Sequence, residues 1–164
     1  MTTNLDTQVV ELIGRHRLVA DLLADKLEVA MPLRDRGIDL IAYADLSHQV
    51  TRFVARPIQM KSFTTRGFGV DRKFDRFADL IIAYVWNVGE PAQAVTYAMS
   101  YSESLGIAEA MKWIETNTWR DTGKYVTTSP SQQLLSLLEP FKMIAGRWWK
   151  LVTEPIPREN LKLP

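Results

Sequence analysis

The chain contains no cysteine, which excludes disulfide staples and thiolate metal centres. It has no apolar run approaching the roughly 18 residues that a membrane span requires. Its opening, Met1 to Gln8, is polar and lacks the basic-then-apolar order of a secretory leader, so a cytoplasmic protein with no membrane partner is expected. Glycine-rich phosphate loops of the P-loop or dinucleotide type are missing, and no serine or threonine sits in a nucleophile-elbow context. There is no internal repeat and no low-complexity segment. A large charge of either sign is missing too, since the formal net charge is +1. What remains is ordinary globular material: 164 residues, 46% hydrophobic and 24% charged, enough for one domain with a substantial core.

Periodicity orders the chain. Val9, Val10, Leu12, Ile13, Leu18, Val19, Leu22 and Leu23 make a helical stripe from about Gln8 to Ala24. Short apolar segments follow as strands over Leu27 to Met31, Gly37 to Tyr43 and Phe53 to Ser62, with Asp45 to Thr51 as the polar turn between the last two. Pro57 implies an edge, bulge or bend just before Gln59. Ser62 to Phe74, rich in Gly, Thr and Arg, reads as a mobile loop. Asp79 to Trp86 and Ala94 to Met99 read as further strands, and Ser102 to Trp113 as a helix. Ser129, Pro130 and Gln132 suit the N-cap, first and third positions of a helix over Gln133 to Leu138. Phe141 to Leu151 reads as a last helix, so residues 100–154 form a helical C-terminal elaboration and 155–164 a tail. The whole is expected to be a single α/β (α+β) domain, a sheet layered with helices.

Two strands carry polar residues that burial penalises. Asp39 interrupts the apolar run Gly37 to Tyr43, and Gln59 and Lys61 alternate with Ile58 and Met60. An unpaired buried carboxylate, amide or ammonium costs several kcal/mol. Alternation puts Gln59 and Lys61 on one face of their strand. If the two strands pair, Asp39, Gln59 and Lys61 converge, and a carboxylate, an amide oxygen and an ammonium around one point suit a metal and a water. The competing structural reading has Asp39 capping a turn or pairing with Arg36, and Lys61 as a solvated strand end.

The spacing Gly37-Ile38-Asp39, then Gln59-Met60-Lys61, resembles the core motif of the PD-(D/E)XK nuclease superfamily. The preceding helix and short strand match the αβββ opening of restriction-endonuclease-like and Holliday-junction-resolvase-like proteins, over roughly residues 8 to 87. The resemblance implies a mixed central sheet flanked by helices with an αβββ-αβ core, and a metal-dependent endonuclease acting on DNA. It implies that Asp39, Gln59 and the Met60 carbonyl hold Mg²⁺ or Mn²⁺, with Lys61 assisting the water nucleophile. It also implies a carboxylate on the first helix. His16 is the better positional match; Glu11, five positions earlier and about 140° round the helix, is the better electrostatic one. A homodimer is implied for cutting both strands. The chain departs from the common pattern at position 59, where Gln replaces Asp or Glu. An amide ligates a metal without supplying charge or acting as a base. The resemblance therefore leaves open a catalytically impaired nuclease-fold module serving nucleic-acid binding or protein assembly.

Charge distribution favours DNA as the partner. Residues 34–76 hold nine Lys or Arg against five Asp, an excess seen nowhere else in the chain. Arg34, Arg36, Arg66, Arg72 and Lys73 are the candidates for phosphate contacts. His48 falls in a polar loop and is expected to be exposed and uninvolved. The tryptophans are expected to anchor the core or a dimer interface, with Trp148-Trp149 the best interface candidate.

Overall fold

The computed structural model describes residues 6–34, 36–44 and 52–154. The first helix, α1 (Thr7–Ala24), starts where the Asp6 carboxylate accepts the Gln8 N–H at 3.0 Å. Val10, Gly14, Leu18 and Leu22 recur every fourth residue and form its buried stripe. Lys26, at a φ of 64°, turns the chain into the first strand.

Strands β1 (Leu27–Ala30), β2 (Leu40–Ala44) and β3 (Ala55–Ser62) form an antiparallel meander. After a crossover containing β4 (Phe68–Asp71), strand β5 (Ile81–Trp86) lies parallel to β3, and β6 (Val95–Ser100) runs antiparallel beside it. The result is a five-stranded mixed sheet of order β1-β2-β3-β5-β6. Pro57 sits opposite Ile41 in the β2–β3 pairing, one residue before β3 begins to pair with β5 at Ile58. The missing N–H therefore falls where the second neighbour has not yet arrived.

Helices cover both faces. Ile58, Met60, Ile81 and Ala83 pack against α1 and the last helix, α5 (Arg147–Thr153). Ile82, Tyr84, Trp86 and Met99 pack against α2 (Tyr101–Ala110), α3 (Asn117–Thr122), α4 (Gln132–Leu138) and β4. Asp25 ties the layers of the first face together, its carboxylate accepting the N–H groups of Gly146 at 2.6 Å and Trp148 at 2.8 Å at the start of α5. Ser100 and Glu103 form a reciprocal capping box that opens α2. No described helix is long and apolar enough to cross a membrane.

Several expectations are corrected. No α-helix joins β3 to β5; the αβββ-αβ order is broken because β4 and a 3₁₀ turn at Arg72–Phe74 make the crossover. Nor is Ser62 to Phe74 a loose loop. Phe68, Val70 and Phe74 are fully buried, and β4 pairs with β7 (Lys124–Thr127) in a second, two-stranded sheet. Residues 100–154 are thus not purely helical. The cap of α4 is Ser131, which accepts the Leu134 N–H, rather than Ser129. The final helix starts at Arg147, because Glu139–Phe141 closes a 3₁₀ turn and an irregular segment follows. Trp148 is 2% exposed within the chain's own core, where it serves as packing and not as an interface anchor. His48, the turn at 45–51 and the tail at 155–164 lie outside the described residues.

Candidate functional site

The strand pairing brings the three polar residues to adjoining positions. Asp39 stands immediately before β2, and its N–H donates to the Ile58 carbonyl at 2.9 Å. Gly37 leads into it at a φ of 91°, a left-handed conformation that favours glycine. The Asp39 Oδ2 accepts the Met60 backbone N–H at 2.6 Å and the Gln59 amide Nε2 at 2.6 Å. The same Nε2 lies 3.0 Å from the Met60 carbonyl oxygen. A carboxylate, an amide and a backbone carbonyl therefore surround one point, half-buried beside the sheet.

Gln59 and Lys61 lie opposite Ile82 and Tyr84 of β5, on the face covered by β4. Lys61 is half-buried, with its Nζ 5.3 Å from the centroid of the Phe74 ring. Burial, then the like charges of Lys73 and Lys124, push its ammonium below the ordinary lysine value; Asp71 and Asp39 oppose that shift. The Phe74 ring is placed by the 3₁₀ turn, which Asp71 opens by accepting the Lys73 N–H at 3.1 Å. The crossover is pinned from below. The Tyr84 hydroxyl donates to Gly69 O at 2.7 Å, and the Trp86 indole donates to Gly67 O at 2.6 Å.

The helix residues are not brought to this point. Helix α1 packs on the face of Ile58 and Met60, opposite Gln59 and Lys61. Glu11 is exposed and paired with Arg15 at 2.5 Å, and His16 is exposed. Among the described residues no group of three or more His, Cys, Asp or Glu side chains is arranged to hold a metal ion. Among the described residues, Asp39 is accompanied at this point by the Gln59 amide and the Met60 carbonyl.

The candidate phosphate contacts divide. Lys73 also lies over the Phe74 ring, at 4.9 Å, and pairs with Asp71 at 3.5 Å. Arg72 is laid over Trp119, 5.2 Å from its ring. Arg34 and Arg36 are exposed on the approach to Asp39. Arg66 stands apart, in a separate cleft of about 360 Å³ with Trp86, Tyr97 and Glu139. Arg56, part of the basic excess, has a structural role: it pairs with Asp79 at 2.7 Å and donates to the Val152 and Glu154 carbonyls near the end of α5. The residue that sequence reasoning missed is Lys124. Strand β7 carries it to the position opposite Asp71, within electrostatic reach of Lys61. No local sequence signal marks it.

Comparison with family models, with curated proteins and with solved structures finds no match to this chain.

Proposed function

We propose that this chain is a metal-dependent phosphodiesterase acting on DNA, on a restriction-endonuclease-like scaffold. The observation that carries the reading is the convergence of Asp39, Gln59 and the Met60 carbonyl around one point, with Lys61 on the same face of the strand. A helix, a three-stranded meander and a parallel neighbour for the third strand are consistent with that scaffold.

The donor set fits a hard divalent cation once the Gln59 amide turns over. Its Oε1 then replaces Nε2, and carboxylate, amide and carbonyl oxygens face the same point. Mg²⁺ or Mn²⁺ held by Asp39, Gln59 and Met60 O would supply Lewis acidity and an activated water. Lys61 is suited to orient that water and exchange a proton with it, because burial and its lysine neighbours acidify it. Its ammonium also opposes negative charge developing on the phosphate.

One observation favours a second reading, a DNA-binding module with impaired catalysis. Among the described residues Asp39 is accompanied there by an amide and a carbonyl, and a single negative charge holds Mg²⁺ weakly. Cleavage of supercoiled and branched DNA with Mg²⁺ or Mn²⁺ separates the two. Metal-dependent cutting that is lost in Asp39→Ala supports the enzyme; salt-sensitive binding without cutting supports the module. A homodimer is the assembly that cleavage of both strands implies, and sedimentation with and without a duplex tests it.

A further inference from the structure

Two lysines from distant parts of the chain meet at one aromatic ring, and a third, Lys124, stands on the strand paired with the end of β4. Lys61 of β3 and Lys73 of the crossover lie 5.3 and 4.9 Å from the Phe74 centroid. Lys124 comes from β7, paired across from Asp71 at the end of β4. One carboxylate, Asp71, is shared out locally: it bonds the Lys73 N–H and pairs with its ammonium at 3.5 Å. Neither Lys61 nor Lys124 forms an ion pair with a described carboxylate. In a chain of net charge +1, such a gathering is uneven and repulsive.

Phe74 is fully buried, and its ring gives the Lys61 and Lys73 ammonium groups a common fixed neighbour. The β4–β7 pairing sets Lys124 on a strand, where its backbone is fixed. Three like charges opposed locally by Asp71 and Asp39 leave an excess that is complementary to an anion carrying more than one charge in sequence.

We infer that Lys61, Lys73 and Lys124 form a phosphate track across Phe74, in which Lys124 contacts a phosphodiester neighbouring the one presented to Asp39. The ligand class is the backbone of a nucleic-acid strand. This rests on the proposed phosphodiesterase site and extends it to a residue outside the motif.

The test measures binding of a fluorescently labelled DNA duplex to the full chain in EDTA, across a salt series, so that cleavage plays no part. Lys124→Ala should reduce the steepness of log K against log salt by about 1, the value of one phosphate contact. Lys124→Arg should restore it, and Lys150→Ala, on the exposed side of α5, should leave it unchanged. Thermal unfolding of Lys124→Ala should match the wild type, since the side chain is exposed. If the wild type binds and Lys124→Ala shows the same slope, the track is overturned while the Asp39 site stands. If the wild type binds no DNA at low salt, the track falls together with the DNA reading.

Discussion

The Asp39 Oδ2 is bound from two directions at once, by the Met60 N–H and by the Gln59 amide, each at 2.6 Å. Two donors on one oxygen hold the carboxylate at the strand entrance. They also couple the candidate metal ligand directly to the backbone of β3.

Removing that acceptor should therefore cost stability as well as activity. Asp39→Ala leaves the Met60 N–H without its partner, a loss of about 1–3 kcal/mol in chemical denaturation. Asp39→Asn keeps an acceptor oxygen and should recover most of the stability, yet none of the metal-dependent cleavage. Cleavage by Asp39→Asn at the wild-type rate would contradict the assignment of Asp39 as the metal ligand.

Gln59→Glu tests the departure from the common motif. In EDTA the new carboxylate faces Asp39 where an amide donated, and like charges at that distance should lower the Tm. Added Mg²⁺ should raise the Tm of the variant more than that of the wild type, and cleavage should increase. An identical response of both proteins to Mg²⁺ would remove Gln59 from the ligand set.

Lys61→Met should abolish cleavage and stabilise the fold. The substitution keeps the stem against Phe74 and deletes a charge that burial and two lysines disfavour. Because the folded value lies below the unfolded one, the folded chain holds fewer protons at this site between the two values. Stability then rises with pH across that window, and the penalty is full below it. The Tm advantage of Lys61→Met should shrink as pH climbs toward the ordinary lysine value of 10.5, which paired melting curves would reveal.

Tyr84→Phe addresses the crossover without touching the site. The hydroxyl is buried and donates to Gly69 O at 2.7 Å, so its loss should cost about 1–3 kcal/mol. Hydrogen exchange at β4 should accelerate more than at β2. Uniform acceleration over both strands would show that the bond does not specifically anchor β4.

Gly14→Ala should destabilise the α1–β3 contact. A Cβ there would meet the Ser62 side chain, with Ser62 Cβ at 2.9 Å. Overpacking of this kind costs about 1–3 kcal/mol. The buried Ser62 hydroxyl has no hydrogen-bond partner among the described residues, so moving it breaks no bond there. Adding Ser62→Gly should return part of the loss in a double-mutant comparison of melting temperatures; no recovery would locate the strain elsewhere.

What the sequence made legible follows the strength of each local signal. Asp39, Gln59 and Lys61 stood out because burial penalises them and strand alternation fixes their faces, and pairing does bring Asp39 onto Gln59. Helix α1 followed from the helical spacing of its apolar residues between Val9 and Leu23. The crossover was misread because Gly67 and Gly69 look like flexibility. At Gly69 a Cβ would lie 2.7 Å from Val126 and 2.8 Å from the Tyr125 carbonyl, so glycine serves close strand approach there. Lys124 was invisible for the same reason: it reaches the site through the β4–β7 pairing, which no local pattern announces. Helical spacing alone left Glu11 and His16 in contention. Packing decides where they stand: α1 lies on the Ile58 and Met60 face of the sheet, and both side chains are exposed.

Strand β3 places Ile58 and Met60 in one apolar layer and Gln59 and Lys61 on the other side. A slip of one residue against β2 and β5 would drive an ammonium and an amide into the layer beneath α1 and present Ile58 and Met60 where Asp39 waits. Misaligned chains are thus penalised by the very groups that serve the site. Gln59 and Lys61 act as proofreaders of assembly, so replacing both with aliphatic residues should leave a protein that folds but no longer distinguishes its correct alignment from its neighbour.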